Sequence, residues 1–298
     1  MKLDLLAAHR LSKASKSSFS LLFGMALKAP RPTDPVLVID VGAFRGSFTQ
    51  KALASYGDAN IAIHAFDAFA GNIETAREAV TDPRVTFVNA AVVAETRESV
   101  TFSIPKHSFV DSGKASWGGR VARDPAASQF EADEKISVPG VSLDSYLLSQ
   151  GLYSPMIVKM DIQGGEYEAL QGMQLSAPLT SFLYVECQLK HGRDLKYVGW
   201  LEDMGFAVVM DSFQFGMRSD LSKADCEAIC KVLGLEIYNF PSQGSIHAVA
   251  PQDARIFEAL SSKSVFASFF TYFQTDLLAV NTRHQGAMSA FFETLLSR

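Results

Sequence analysis

Four short apolar runs in this chain each end on a carboxylate. Asp40 closes VLVI and is followed by Gly42 and Gly46, Asp67 closes IAIHAF, Asp161 closes IVKM, and Glu186 closes FLYV; a fifth run, VTFV, closes on Asn89. In an open α/β sheet, ligands bind beyond the carboxyl ends of the strands, where the strand order reverses. An acid in such a place can also cap a helix or face water. Four of them on one edge point to a ligand site.

The ligand class follows from the charge. The first turn reads D-V-G-A-F-R-G, with glycines four apart, so the G-x-G-x-x-G pattern of dinucleotide enzymes is missing. A phosphate wants backbone N–H groups and a helix N-terminus, and a nearby carboxylate repels it. S-Adenosylmethionine carries a positive sulfonium and an α-ammonium group and no phosphate, so acids at the turn attract it. Asp67, ending the second strand, is placed to accept the two ribose hydroxyls.

The stretch Pro155–Met173, PMIVKMDIQGGEYEALQGM, carries the chemistry of transfer. A hydroxyl that attacks a methyl carbon must lose its proton, and a carboxylate within hydrogen-bonding reach can take it. Asp161 is the first candidate, both for orienting substrate or cofactor and for accepting that proton. Glu186, at the end of the neighbouring strand, is equally placed. Gly164 and Gly165 let backbone pass close to a ligand. Glu166 opens a helix, where a carboxylate also favours the positive end of the dipole with no ligand involved, and Gly172 closes that helix. Lys159, inside the strand, is expected to pair with one of these acids.

The elements that must hold these residues alternate. Val36–Val41, Ile61–Phe66 and Val85–Val88 read as strands, with helical patterns through Phe48, Leu53 and Tyr56 and across Ile73–Val80. That rhythm calls for a mostly parallel sheet with right-handed crossovers. Ser99–Ile104 continues as an alternating strand. The segment from Pro105 to Lys135 is polar and long for a connection inside a compact domain, as lids often are. It supplies His107, Ser116, Trp117 and Arg120 as lid residues over the acceptor, with Gly118 and Gly119 as hinges. Phe206–Met210 and Ser245–Val249 read as a closing antiparallel pair. Residues 253–298 are predicted helical from two apolar stripes, Val265, Phe266, Phe269, Phe270 and Phe273, then Met288, Phe291, Phe292 and Leu295. These stripes cover the sheet or join two copies in a homodimer.

Composition bounds the partners. A net charge of -5 over 298 residues argues against non-specific nucleic-acid binding. The three cysteines suit reduced thiols in the cytoplasm, and Cys226 and Cys230, four apart on a predicted helix, lack the further ligands a metal needs. Residues 1–31 carry Lys2, Arg10, Lys13, Lys16, Lys28 and Arg31 against Asp4 alone, and Ser18–Lys28 reads as an amphipathic helix docked on the domain, with peripheral membrane contact as the alternative. No segment approaches the ~20 apolar residues of a membrane span.

VLVIDVGAFRGSFT, AIHAFDAF, VNAAVVAETRESVTFSIP, VSLDSYL, IVKMDIQGGEYEALQGM and LYVECQ, taken together over about residues 36–190, resemble the FkbM family of S-adenosylmethionine-dependent methyltransferases. The most specific piece is K-x-D-x-x-G-x-E-x-x-x-L-x-G at 159–172. The resemblance implies a class I, Rossmann-like fold and, as in many members, methylation of a hydroxyl on a small molecule or glycan. It implies a cofactor turn at Asp40, Gly42, Ala43 and Gly46, ribose at Asp67, adenine beside Asn89, Ala90 and Ala91, and an active-site rim at Asp161 and Glu166. Two departures stand out. Gln163 replaces the glutamate common in D-x-E-G, and Ala68 follows Asp67 where Glu-Pro is common.

The expectation is an α/β, Rossmann-like class I methyltransferase with a mostly parallel seven-stranded sheet and helices on both faces. An N-terminal helical extension and linker occupies 1–35, the methyltransferase domain 36–252, and a C-terminal helical extension 253–298. The rivals are an NAD(P)-dependent oxidoreductase and a nucleoside-binding module without transfer activity.

Overall fold

The structure, a computed structural model, describes residues 18–31, 33–110, 115–116, 118–121, 134–152, 154–189, 196–217, 221–232, 236–242, 245–249 and 270–296. Helix α1 (Ser18–Lys28) precedes strand β1 (Val36–Val41), α2 (Ser47–Tyr56), β2 (Ile61–Asp67), α3 (Ala70–Ala79) and β3 (Val85–Asn89). The short β4 (Ala91–Val92), β5 (Arg97–Ile104), β6 (Phe109–Val110), β7 (Ala115–Ser116), β8 (Arg120–Val121) and β9 (Glu134–Val141) follow. Alternation resumes with α4 (Leu143–Ser149), β10 (Ile157–Met160), α5 (Glu166–Gln171), β11 (Phe182–Leu189), α6 (Lys196–Asp203) and β12 (Phe206–Met217). The chain continues through α7 (Lys223–Val232), β13 (Glu236–Ser242), β14 (Ser245–Val249), β15 (Phe270–Asn281) and α8 (Gln285–Leu296).

The main sheet has the order β13-β14-β12-β15-β11-β10-β1-β2-β3. Its seven-stranded core, β12 to β3, is the Rossmann-like arrangement expected, and within that core β15 alone runs against the rest. The hairpin β13–β14 extends the core along the edge of β12, with Phe213 opposite Ala248. Every residue of β1 and β10 is buried, as expected of central parallel strands covered on both faces. The strand order reverses between β1 and β10, which brings Asp40 into register with Lys159.

The C-terminal region departs from the expected helical extension. Phe270–Asn281 is a strand, with Phe182 opposite Val280 on one side and Phe206 opposite Asn281 on the other. The Phe270 and Phe273 of the proposed helical stripe lie in this strand, because two neighbours with open edges offer a twelve-residue segment more hydrogen bonds than a free helix would. Val265, Phe266 and Phe269 lie outside the described residues. Among the described residues of this region, Gln285–Leu296 is helical, and Phe291 is fully buried.

That last helix packs beside the first. Leu22, Phe23, Met25, Phe48, Tyr56, Ala287 and Phe291 form one buried layer on one face of the sheet. Phe19 meets Phe48 edge-on with ring centroids 5.0 Å apart. The apolar face of α1 is thus taken up by the domain, as in the docked reading, whereas Lys2, Arg10, Lys13 and Lys16 lie outside the described residues. The opposite layer holds Leu143, Leu170, Trp200, Cys226 and Cys230. Burial raises both thiols, Cys230 to about 11, so both stay protonated. Among the described residues no helix is long and apolar enough to cross a membrane.

Ser99–Ile104 is a strand as expected, but in a second sheet of order β4-β9-β5-β8 rather than in the main one. Its apolar side, including Phe102, Val100 and Ile104, packs with Ala68 and Ala91 at the carboxyl ends of β2 and β3. This small sheet roofs the edge where the acids gather.

Candidate active site

At the end of β1 the chain turns at once. Gly42 has φ 81°, and a Cβ there would lie 1.8 Å from the carbonyl oxygen of Asp161, so β1 and β10 approach as only glycine permits. Gly46, φ 76°, serves as N-cap of α2. The amides of Gly42 and Ala43 donate to the Phe66 carbonyl at 2.9 and 2.8 Å. The Phe44 amide donates to Asp67 Oδ2 at 2.9 Å. Three successive turn amides are thereby engaged by β2, and the turn has none of them to offer a pyrophosphate. This counts against the dinucleotide alternative.

Asp67 is buried yet borders a cavity at the strand ends. Besides Phe44, its carboxylate accepts from the Phe69 amide (2.9 Å) and from Asn72 Nδ2 (3.0 Å), both at Oδ1. Burial pushes its pKa up to about 6, against the pull of these donors. Asn89 stands outside the cavity: its Nδ2 donates to the carbonyls of Asp67 and Ala68, each at 3.0 Å. Ala90 and Ala91 do line it.

Asp40 also lies outside the cavity. It is fully buried, with Oδ2 accepting from Thr49 Oγ1 at 2.8 Å and Oδ1 3.2 Å from Lys159 Nζ. Lys159 Nζ donates to the Gly42 carbonyl at 2.6 Å and lies 3.9 Å from Asp161 Oδ2. The pairing expected of Lys159 is therefore present, and the Asp40–Lys159 pair pins the turn from beneath instead of meeting a ligand. Burial raises the Asp40 pKa. Burial also opposes the charge of Lys159, but the carboxylates around it outweigh that and its pKa is raised.

The carboxylates after β10 divide by environment. Asp161 lines the cavity with its side chain 34% exposed, while Glu186 is 9% exposed behind it. Gln163 joins them: its Nε2 donates to Asp161 Oδ1 at 3.1 Å and to Glu186 Oε2 at 2.9 Å. Burial, then the charge of Asp161 and a hydrogen bond with it, push the Glu186 pKa up to about 10. That direction favours the neutral form of Glu186. Glu166 is turned away from the cavity. Its carboxylate is fully buried and accepts from the amides of Ile162 (2.9 Å) and Gly164 (2.9 and 3.0 Å), and burial pushes its pKa up to about 7. Its work is to shape the loop ahead of α5, so it leaves the list of catalytic candidates.

Of the lid residues, Ser116 lines the cavity and is buried. Its amide donates to Asn72 Oδ1 at 2.8 Å, its carbonyl accepts from Asn72 Nδ2 at 2.7 Å, and its hydroxyl lies 2.6 Å from Ser108 Oγ. His107 sits in a 3-10 turn at Lys106–Ser108, Arg120 opens β8, and Trp117 lies outside the described residues. Of the expected hinges, Gly119 lines the cavity, where a Cβ would strike the Phe102 ring at 2.2 Å. Asn72 was not a sequence candidate. It lies in the first turn of α3 with no motif around it, and only the fold brings it to Ser116.

The described lining offers Asp67 and Asp161 as carboxylates and no basic side chain. Phe44, Phe66, Phe102, Val92, Val121 and Ile162 supply apolar walls. This donor set fits S-adenosylmethionine: a flat adenine against apolar side chains, ribose hydroxyls at Asp67, and a positive group between two acids. Val41, Gly42, Ala68, Asn72, Gln163 and Gly165 line the cavity as well.

The model of the Methyltransferase FkbM domain matches residues 40–208, more than half of the chain. The comparison with curated proteins returns no match. Among solved structures, the chain is similar to a precorrin-6y C5,15-methyltransferase from Geobacter metallireducens GS-15 at 12% identity, covering 88% of this chain and 87% of that one, with a TM-score of 0.39. It is similar to a methyltransferase FkbM from Methylobacillus flagellatus KT at 12% identity, covering 68% of this chain and 54% of that one, so it spans about half that protein's length, with a TM-score of 0.40. The chain belongs to the FkbM methyltransferase domain family and is, with that family, an S-adenosylmethionine-dependent methyltransferase.

Proposed function

We propose that the chain methylates a hydroxyl oxygen of a small molecule or glycan, with Asp161 accepting the proton. When bound, S-adenosylmethionine supplies an electrophilic methyl group on a cationic sulfur. Asp67 would receive its ribose hydroxyls, and Ala90, Ala91 and Val92 would flank its adenine. The observation that carries the reading is that Asp161 lines the cavity with its side chain partly exposed and is held by Gln163, which also reaches the buried Glu186. A hydroxyl acceptor needs such a base as its oxygen attacks. Glu186, as a neutral acid, donates to Asp161 and holds that carboxylate in place. The segment carrying β6, β7 and β8 would cover the acceptor and exclude water.

The test is a screen of hydroxyl-bearing acceptors, sugars first, for transfer of a radioactive methyl group from the cofactor. Asp161→Asn should lose transfer by about a hundredfold or more at saturating cofactor, beyond any loss of cofactor affinity. Full activity in that variant would remove Asp161 from the base role.

A further inference from the structure

Gln163 holds an unusual backbone position. Its φ is 58°, in the left-handed region that few residues other than glycine adopt, and Gly164 follows at φ 108°. The side chain that this turn presents uses both N–H bonds of one nitrogen on two different carboxyl groups, Asp161 and Glu186. An ionised glutamate in its place has no proton to donate.

The surroundings are already rich in negative charge. Glu186 stands opposite Asp276 across β11 and β15, and Glu166 and Asp161 also act on it. Among the described residues, Lys159 is the buried cation that faces this group, and it is engaged by Asp40 as well as by Asp161. A further ionised carboxylate at position 163 would meet two acids at hydrogen-bonding distance.

We infer that Gln163 is a positioning residue for methyl transfer: its amide clamps Asp161 and Glu186 into one hydrogen-bonded unit, with Asp161 toward the cavity and Glu186 behind. The inference rests on the reading of Asp161 as base. The neutral amide supplies two donors without adding charge, so one side chain fixes both carboxyl groups and keeps Asp161 at the cavity to receive the acceptor's proton. In that step the acceptor O–H bond breaks and an O–H bond forms at Asp161, while the Gln163 donor stays in place.

The test requires no acceptor. Carboxyl groups of glutamate are labelled with carbon-13 in the full chain, and their pH titrations are followed by NMR. The carboxyl introduced by Gln163→Glu should titrate at least two pH units above the ordinary value of about 4.3. Adding Asp161→Asn to it should bring that value down by about one unit, since the neighbouring carboxylate at the cavity is removed. Titration near the ordinary value would overturn the clamp. Should Gln163→Glu fail to fold, Gln163→Leu serves. Loss of both donors should then move the Glu186 titration up by about one pH unit, and an unmoved Glu186 would overturn the clamp equally. An active Asp161→Asn variant alongside a raised titration removes the base reading alone. An inactive one alongside an ordinary titration removes the clamp alone.

Discussion

Asn72 and Ser116, forty-four positions apart, are joined by two hydrogen bonds through one side-chain amide, whose nitrogen also reaches Asp67. The residue that steadies the second-strand carboxylate thus also anchors the roof of the cavity. Asn72→Ala removes all three contacts and leaves buried backbone groups of Ser116 unpaired. It should cost about 3 kcal/mol of stability in urea denaturation and weaken cofactor binding about tenfold by calorimetry. A variant with unchanged stability and affinity would show that β7 is held by other contacts.

Lys159 and Asp40 make a second test of the support beneath the turn. Lys159→Met leaves a buried carboxyl without its partner and should cost about 3–5 kcal/mol. The double variant Asp40→Asn, Lys159→Met should recover part of that loss, because the uncompensated acid is gone. Equal stability of single and double variants in urea denaturation would mean that the pair is not coupled.

Gly42→Ala places a methyl group where the Asp161 carbonyl now lies and demands a positive φ from a residue with a Cβ. A loss of about 3 kcal/mol or more is expected, together with loss of cofactor binding. Wild-type stability in thermal or urea unfolding would contradict the close approach of β1 and β10.

Asp67 makes cofactor binding depend on pH. Its pKa lies near 6 in the free protein, raised by burial, so below that value the site is protonated. Ribose hydroxyls donating to it favour the ionised form, and binding must then release a proton. Affinity should fall by about tenfold for each pH unit below 6 and level off above 7. Asp67→Asn should bind weakly with no such slope. Calorimetry from pH 5 to 8 checks both, and a flat wild-type profile would mean that Asp67 stays clear of the cofactor.

Much of this architecture was legible in the sequence because local rules decided it. The fully buried strands β1 and β10 are apolar but for Asp40 and Lys159, and acids at or just past their ends stand at the sheet edge where the order reverses. Asp67 and Asp161 were found that way. Asp40, Glu166 and Glu186 were also found, but their facing depends on packing: Lys159 draws Asp40 under the turn, and backbone amides draw Glu166 into the loop. Asn72 gave no local signal, since its side chain works by joining Asp67 at the end of β2 to Ser116, forty-four positions away. The strand Phe270–Asn281 was misread for a related reason. Its phenylalanines fit a helical stripe, and only its distant neighbours β11 and β12 decide for the strand. The roof is built partly from two-residue strands, too short to show any period.

The central claim is that the acid-lined cavity at these strand ends holds the methyl donor. Calorimetric titration of S-adenosylmethionine into the protein and into Asp67→Ala, with thermal unfolding of both as a control, tests it most directly. Micromolar-range binding is predicted for the unaltered chain, weakened at least about thirtyfold in the variant, with both proteins folded. Equal affinity in the two folded proteins, or no binding to either, would contradict it.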